Sequence, residues 1–143
     1  MEFLIRLATP QDMPWINAQY RTVQFQESEL HHEIILLATN GGQPAGMGRL
    51  VKVSDEVLEL GGMFVCEPYR GSGLARKLVK ALLEKAGPKT IYCLPFAHLR
   101  AFYESCGFEP VADHASVPGK VLEKWTWCNQ TYPDKTLLLT QQT

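Results

Sequence analysis

The sequence predicts a single α/β domain that spans residues 1–143 and is built on a mixed sheet. The length of 143 residues suits one compact domain with a full core. Short alternating apolar stretches, which indicate strands, are interspersed with longer stretches of helical periodicity. A strand, a helix and three strands come first, and helices and strands then alternate, which is the mixed order of an α/β fold.

The N-terminal half begins with a strand and a helix. Apolar residues alternate over residues 3–7, and the segment Thr9–Asp12 follows with the sequence Thr-Pro-Gln-Asp. This segment offers a capping hydroxyl, a proline suited to the first helical position and a carboxylate that can reach back to the cap. We therefore predict a first helix that runs to about Gln24.

Three strands are predicted next, at residues 33–39, 45–53 and 57–66. The first two flank the sequence Asn-Gly-Gly-Gln at residues 40–43, which favours the positive φ angles of a tight hairpin turn. The segment 74–86 then repeats apolar residues at three- and four-residue spacing with basic residues opposite, so it predicts an amphipathic helix. A short strand at 90–94, a helix at 98–105 and strands at 108–112, 122–128 and 136–140 complete the prediction.

Composition and charge exclude several classes of protein. Lys and Arg number 14 against 15 Asp and Glu, so the net charge of -1 argues against a nucleic-acid partner. Apolar stretches fall far short of the roughly 20 residues that cross a bilayer, and the first residues lack a signal-peptide pattern. We expect a cytoplasmic protein with no membrane partner. The cysteines lack zinc-site spacing, and His32-Glu33 lacks the second histidine of a zinc motif, so we expect no metal.

The segment that joins the third predicted strand of this group to the long helix carries the strongest functional signal. Gly71 and Gly73 allow the backbone to approach a ligand, and the first turn of a helix presents unpaired N–H groups at its positive end. Such a loop binds phosphate. Neither the Walker A motif nor the dinucleotide fingerprint is present, because no Gly-Lys-Ser/Thr run occurs and Arg76 occupies the position of the third glycine.

The charge around this loop is strongly positive although the whole chain is nearly neutral. Arg70, Arg76, Lys77 and Lys80 lie within eleven positions, and no acidic residue occurs between residues 68 and 83. A confined cationic helix start favours one small polyphosphate ligand over a long polyanion.

Two segments resemble the GNAT N-acetyltransferase superfamily. Residues 70–75, Arg-Gly-Ser-Gly-Leu-Ala, are similar to the family's Arg/Gln-x-x-Gly-x-Gly/Ala loop, and residues 101–108 resemble its Phe/Tyr-Tyr-Glu-x-x-Gly-Phe run. The resemblance covers nearly the whole chain and is weakest in the tail from Asp113. It implies a GNAT-type fold, with a mixed, mostly antiparallel central sheet that is splayed at the cofactor site and flanked by about four helices.

The resemblance also implies an acetyl-CoA-dependent N-acetyltransferase that acts on a primary amine of a small molecule or peptide. The loop amides would hold the pyrophosphate of acetyl-CoA, and the pantetheine arm would pair like an extra strand with the fourth strand. Gly61-Gly62 just before that stretch either leave room for substrate or form a β-bulge. The implied cofactor-binding residues are Met63, Phe64, Val65, Arg70, Gly71, Ser72, Gly73, Leu74, Ala75 and Phe102.

Tyr103 and Glu59 are the candidate catalytic residues. The resemblance implies that Tyr103 is the general acid that protonates the departing thiolate, and the alternative is that it packs at the edge of an apolar helical stripe. Glu59 shares a strand face with Met63 and Val65, so its carboxylate is placed to deprotonate the amine through water. The alternative for Glu59 is that it pairs with a neighbouring strand.

The sequence departs from the family at Phe96, where members often carry an asparagine that contacts the cofactor arm. His98 lies beside this position and is either a base or cofactor contact, or a structural residue at a helix start. The departure leaves open a sensor module that binds acyl-CoA without turnover. A second alternative is a hydrolase that uses Cys93 or Cys106 as nucleophile with His98.

The tail from Asp113 leaves the oligomeric state open. It either adds a strand to the sheet or exchanges with a partner subunit, because Trp125 and Trp127 would otherwise be exposed on an unpaired edge. A homodimer is therefore one alternative. The identity of the amine acceptor lies beyond the sequence.

Overall fold

Strands and helices alternate along the chain in the order that an α/β fold requires. The computed structural model describes residues 2–143, and Met1, the first residue of the predicted domain, lies outside the described residues. The strands are β1 (Leu4–Leu7), β2 (Glu33–Asn40), β3 (Gln43–Ser54), β4 (Val57–Val65), β5 (Thr90–Cys93), β6 (Glu109–Pro110) and β7 (Leu139–Gln142). The α-helices are α1 (Met13–Thr22), α2 (Leu74–Ala86), α3 (Arg100–Ser105) and α4 (Gly119–Thr131).

The strands form one mixed sheet in the order β1-β2-β3-β4-β5-β7-β6. Strands β4 and β5 pair in parallel, whereas β1 with β2, β2 with β3, β5 with β7 and β6 with β7 pair antiparallel. The paired register of β4 with β5 covers Val57–Leu60, and β4 itself runs on to Val65. The predicted α/β class, with a mixed and mostly antiparallel sheet and four helices, is confirmed.

The chain divides into two compact units. The first contains the described residues up to Val51 together with Gly62–Lys85, and the second contains Lys52–Gly61 together with Ala86–Thr143. The assignment of residues 1–143 to a single domain stays a prediction.

The core of the first unit is built around the predicted hairpin. Strands β2 and β3 pair in antiparallel register out to Asn40 and Gln43, and Gly41 and Gly42 adopt φ angles of +58° and +82° between them. The predicted turn is therefore confirmed. Buried residues of α1, which are Ile16 and Tyr20, pack against buried residues of this hairpin, which are Ile35, Leu37 and Met47.

The capping interaction predicted at Thr9 is present, but it opens a 3-10 turn at Pro10–Asp12, and α1 begins after this turn at Met13. The backbone N–H of Thr9 donates to Asp12 Oδ2 at 2.7 Å, so the carboxylate reaches back to the cap as expected. Arg6 adds a two-pronged contact, from Nη1 to Oδ2 at 2.7 Å and from Nη2 to Oδ1 at 3.1 Å. The helix ends at Thr22, two residues before the predicted end, and Gln24 has a φ of +60°.

The tail differs most from the prediction. Residues 122–128, predicted as a strand, lie inside helix α4, because Val121, Trp125 and Cys128 recur at helical spacing and turn towards the protein interior. The aromatic residues that favour a strand are overruled by this packing. Of the other two predicted strands, 108–112 is reduced to the two residues of β6, and 136–140 is displaced to β7.

The second unit has a core of its own around α4. Tyr92, Val117, Val121 and Leu138 are buried together there. The Trp125 indole N–H donates to the Thr136 carbonyl at 2.8 Å. Strand β7 completes the sheet between β5 and β6, as one of the two predictions for the tail required.

We predict that Asp12→Asn lowers the free energy of unfolding at pH 7 by about 1 kcal/mol, because it removes an ion pair and weakens a cap. The hydrogen bond from Arg6 lowers the pKa of Asp12 from 3.8 to about 2. A pKa that is depressed in the folded state gives stability that is present above about pH 4 and lost as the pH falls through 2. Urea unfolding of the parent and the variant at pH 7 and pH 2 is the measurement. The difference between their free energies of unfolding should be smaller at pH 2 than at pH 7.

Asp55→Asn is the matched control for this experiment. Asp55 also forms an ion pair, with Lys52 at 3.0 Å, but its side chain is 90% exposed. This variant is expected to unfold like the parent protein at both pH values. A loss in Asp12→Asn that is equally large at pH 7 and pH 2 would contradict the electrostatic explanation.

Candidate functional site

The loop before α2 has the backbone conformation of an open cradle. Gly71 and Gly73 adopt φ angles of +80° and +85°, and a Cβ atom added at either position would meet nothing within 4 Å. The glycines are therefore required by the left-handed backbone and not by close packing against the protein. The space above the loop is open to a ligand.

The backbone N–H groups of this loop are only partly used by the protein. The first hydrogen bond of α2 runs from Lys77 N to the Gly73 carbonyl at 3.2 Å, so the amides of residues 74–76 precede the helical ladder. Arg70 N donates to Glu67 O at 3.2 Å and Ser72 N donates to Tyr69 O at 3.3 Å. Within residues 2–143, backbone acceptors therefore engage the amides of Arg70 and Ser72 but not those of Gly71, Gly73, Leu74 and Ala75.

Side chains hold the loop in place. Arg70 Nε donates to the Val65 carbonyl at 3.0 Å, which ties the loop to the end of β4, and Ser72 Oγ donates to the Tyr69 carbonyl at 2.5 Å. Leu74 is buried in the core, so its side chain is not available to a ligand. Lys77 lies over the Phe3 ring, with Nζ 5.6 Å from the ring centroid.

The end of β4 lies unusually close to β3 because β3 carries glycines. A Cβ at Gly46 would lie 2.8 Å from the Phe64 carbonyl oxygen, and one at Gly48 would overlap the Met63 sulfur. Met63, Phe64 and Val65 are themselves half-buried. The role of Gly46 and Gly48 in this close approach was not predicted from the sequence, although glycines at alternate positions of a strand are its usual signal.

The predicted free space at Gly62 is occupied by the protein. Gly62 has a φ of +59°, and an added Cβ would lie 2.5 Å from the Tyr20 hydroxyl and 2.8 Å from Arg49 Nε. The Tyr20 hydroxyl donates to the Gly62 carbonyl at 2.8 Å. Gly61, in contrast, has only an ordinary contact of 3.6 Å to Glu59 Oε2.

A buried arginine organises the surroundings of Gly62. Arg49 is 7% exposed, its Nη1 donates to Gln26 O at 2.9 Å and to Ser28 Oγ at 2.6 Å, and its guanidinium carbon lies 4.4 Å from the Tyr20 ring centroid. Glu33 Oε1 lies 3.9 Å from Arg49 Nε. Burial raises the pKa of Tyr20 to about 12, so its hydroxyl stays protonated.

Glu59 is buried and ion-paired in the second unit. It is 7% exposed, and its Oε2 accepts a hydrogen bond from Lys124 Nζ at 2.7 Å. The ion pair therefore links β4 to α4, 65 positions along the chain. Its proposed role as the base stays a prediction.

Tyr103 is a buried, protonated phenol. It is 5% exposed, and its ring makes edge contacts with Phe102 at 4.9 Å and Phe108 at 6.0 Å. Burial raises the pKa of Tyr103 well above its usual value, and charge interactions with Cys93 and Cys106 raise it further. The packing expected of this residue is present, and its catalytic role stays a prediction.

The Cys93 thiol lies within electrostatic reach of Glu59, Lys124 and Tyr103. Burial raises its pKa well above the ordinary value, the Glu59 carboxylate raises it further and Lys124 lowers it. Tyr103 also interacts with this thiol. Glu59, Lys124 and Tyr103 therefore share one neighbourhood, and the raised pKa disfavours Cys93 as a nucleophile.

Phe96 stands at the position where members of the resembled family often carry an asparagine, and it lies in an aromatic cluster. The Phe96 ring stacks on His98 at 6.1 Å and meets the edge of Tyr132 at 5.4 Å, and Tyr132 in turn contacts Trp127 at 5.6 Å. His98 is thus held in an aromatic cluster. Trp127 is exposed on helix α4, and not on a strand edge as expected from the sequence.

Residues 2–143 show neither a cluster of metal-ligating side chains nor a helix that could span a membrane. No three His, Cys, Asp or Glu side chains within this range are grouped so that they could hold a metal ion. No helix within it combines the length and the apolar character that a membrane span needs.

The family is decided by a match to the family model described as "Acetyltransferase (GNAT) family", which covers residues 1–108. The chain belongs to this family. The match includes the loop at residues 70–75 and ends at Phe108, before α4 and β7. A search of curated proteins by sequence found no match.

Solved structures of several acetyltransferases share the fold. N-acetylglutamate synthase from Neisseria gonorrhoeae, complexed with coenzyme A and N-acetyl-glutamate, aligns over 99% of this chain with a TM-score of 0.81 and 16% identity. Rv2747 from Mycobacterium tuberculosis, in complex with CoA and NLQ, aligns over 98% with a TM-score of 0.76 and 16% identity. IAA acetyltransferase from Bacillus cereus aligns over 99% with a TM-score of 0.68 and 16% identity.

The lengths of these proteins differ. This chain spans 35% of the Neisseria synthase, whereas it covers 99% of Rv2747 and 100% of the Bacillus cereus acetyltransferase. At this level of identity the likeness shows the fold.

We predict that Gly62→Ala lowers the free energy of unfolding by about 3 kcal/mol. A left-handed backbone costs a residue with Cβ about 1 kcal/mol, and the overlap with Tyr20 and Arg49 adds about 2 kcal/mol. Gly61→Ala is the neighbouring control, because its Cβ meets only an ordinary contact. Denaturant unfolding of both variants is the measurement, and equal stabilities would show that the Gly62 contacts do not constrain the backbone.

Proposed function

We propose that this protein is an acetyl-CoA-dependent N-acetyltransferase that transfers the acetyl group directly to a primary amine of a small molecule or peptide. The open loop at Gly71 and Gly73 is the observation that carries the proposal, because within residues 2–143 no backbone acceptor engages the amides of Gly71, Gly73, Leu74 and Ala75. Membership of the acetyltransferase family supports it. We further propose that residues 1–143 act as one domain.

The loop amides of Gly71, Gly73, Leu74 and Ala75 bind the pyrophosphate in this proposal. They lie at the positive end of α2, where an anion is stabilised by the helix dipole. The amides of Arg70 and Ser72 already donate to carbonyl groups of the loop, so these two residues contribute by holding its shape. Exposed basic residues balance the remaining phosphate charge, and they are Arg70, Arg76, Lys77 and Lys80.

The end of β4 receives the pantetheine arm in this proposal. Backbone groups of Met63, Phe64 and Val65 pair with the arm as a strand would, which is the usual way that an extended ligand binds a strand edge. Phe102 is the additional side chain proposed to contact the cofactor.

Two groups of the second unit move protons. The amine attacks the thioester carbonyl, a C–N bond forms and the C–S bond breaks. Glu59 accepts the proton of the amine through a water molecule, and Tyr103 donates its hydroxyl proton to the departing sulfur. Burial keeps the Tyr103 proton in place at neutral pH, so Tyr103 protonates a thiolate only in direct contact with it.

The solved relatives support the co-substrate and leave the acceptor open. The Neisseria synthase is known with coenzyme A and N-acetyl-glutamate, and also with coenzyme A and L-arginine. The Bacillus cereus protein is an IAA acetyltransferase. Because acceptors differ within one fold, an amine screen is required for this chain.

A sensor that binds acyl-CoA without turnover is the alternative. Phe96 favours it, because an aromatic cluster stands where the family often has an asparagine. Release of free thiol from acetyl-CoA in the presence of a panel of amines distinguishes the two functions. Amine-dependent release supports the transferase, and tight acetyl-CoA binding with no release supports the sensor.

We predict that Gly73→Asp abolishes acetyl-CoA binding, because a carboxylate enters the open space above the loop and repels phosphate. Gly42→Asp is the matched control, since Gly42 has a φ of +82° and open space for Cβ but lies in the β2–β3 turn. Calorimetric titration with acetyl-CoA should show binding in the control and none in Gly73→Asp. Equal binding in both variants would show that the loop is only a turn.

We predict that Tyr103→Phe lowers kcat by about 100-fold, because it removes the proton donor. Phenylalanine keeps the ring contacts with Phe102 and Phe108, so the fold and the acetyl-CoA affinity should be retained. Steady-state kinetics with acetyl-CoA and the best amine of the panel provide the measurement. A kcat equal to that of the parent protein would remove Tyr103 from the mechanism.

A further inference from the structure

Helix α4 is the part of this chain that reaches Glu59 from outside the family match. The match ends at residue 108, whereas α4 spans Gly119–Thr131. The helix is firmly held, because Trp125 donates to the Thr136 carbonyl at 2.8 Å and Asn129 Oδ1 accepts from Thr136 N at 2.9 Å. The helix backbone that carries these side chains is therefore held in place.

Lys124 lies on the inward side of this helix. Val121, three residues earlier, and Cys128, four residues later, are both buried, so their common face is turned towards the protein interior. An ammonium group on such a face is costly unless it meets an anion. Lys124 Nζ meets Glu59 Oε2 at 2.7 Å, and the side chains are 31% and 10% exposed.

Stability alone is a weak reason for such a pair. Taking two charges out of water costs about as much as their attraction returns, and buried ion pairs are often replaced by apolar residues without loss. The pair also lies near the neutral Cys93 thiol. The Glu59 carboxylate raises the pKa of this thiol, and Lys124 lowers it. The position of the pair therefore points to a role beyond stability.

We propose that Lys124 is a positioning residue that fixes the orientation of the Glu59 carboxylate for the acyl transfer. Lys124 holds Oε2, so Oε1 is the oxygen that accepts the proton of the amine. The inference rests on the role of Glu59 in the proposed function. It adds that a helix outside the matched family region supplies part of the catalytic arrangement.

The first test compares Lys124→Met, Lys124→Arg and Lys120→Met. Lys120 is an exposed lysine one turn earlier on α4 and serves as the control for loss of a charge from this helix. We expect Lys124→Met to lower kcat about tenfold with the KM for acetyl-CoA unchanged, because only base positioning is lost. Lys124→Arg should recover most of the rate, and Lys120→Met should equal the parent protein. A parental kcat in Lys124→Met overturns the proposal.

The second test places Lys124→Met in a Glu59→Gln background. If Lys124 acts through Glu59, the double variant has the kcat of Glu59→Gln alone. Independent, multiplied losses overturn the positioning role while leaving Glu59 as the base. A Glu59→Gln variant with parental kcat overturns both the proposed base and the role of Lys124.

A third measurement is independent of turnover. In protein labelled with 13C at glutamate carboxyls, the Glu59 resonance should move in Lys124→Met and stay in place in Lys120→Met. An unmoved resonance in Lys124→Met overturns the proposal even if the protein is inactive towards every amine tested. A moved resonance, together with absence of transfer by the parent protein, locates the failure in the proposed transferase function.

Discussion

The packing of α2 on the glycines of β3 is the constraint on which the first unit depends. Leu74, Leu78 and Leu82 are fully buried, and the positions where Gly46 and Gly48 lack a Cβ are filled by these leucines and by β4. A side chain at either glycine would push the helix or β4 away. Since the loop at residues 70–75 leads into this helix, the same packing fixes the position of the proposed phosphate site.

In the second unit, desolvation and neighbouring charges govern the buried polar groups. Tyr103 keeps its proton because it is desolvated, and the buried Glu59 carboxylate accepts a hydrogen bond from Lys124. Cys93 lies among them as a neutral thiol. The proposed acid, Tyr103, thus lies among aromatic rings, whereas the proposed base, Glu59, lies against a lysine.

Local patterns could be predicted from the sequence, and long-range ones could not. The hairpin at residues 40–43, the cap at Thr9 and the loop at residues 70–75 are determined by neighbours a few positions apart. Helix α4 was missed because Trp125 and Trp127 favour strands, and only packing against Tyr92 and Leu138 decides the matter. The pairs Glu33 with Arg49 and Glu59 with Lys124 depend on sheet register and on chain reversal, so no local window contains them.

The buried guanidinium of Arg49 also affects how the segment between α1 and β2 meets other molecules. Its two donated bonds end at Gln26 and Ser28, so this stretch of chain is tethered to β3 and does not move as a free loop. A molecule that contacts the segment binds to a preorganised surface and loses little affinity to ordering of the chain. The same tether limits adaptation, because a change of length there would leave a permanent positive charge without its partners in the interior.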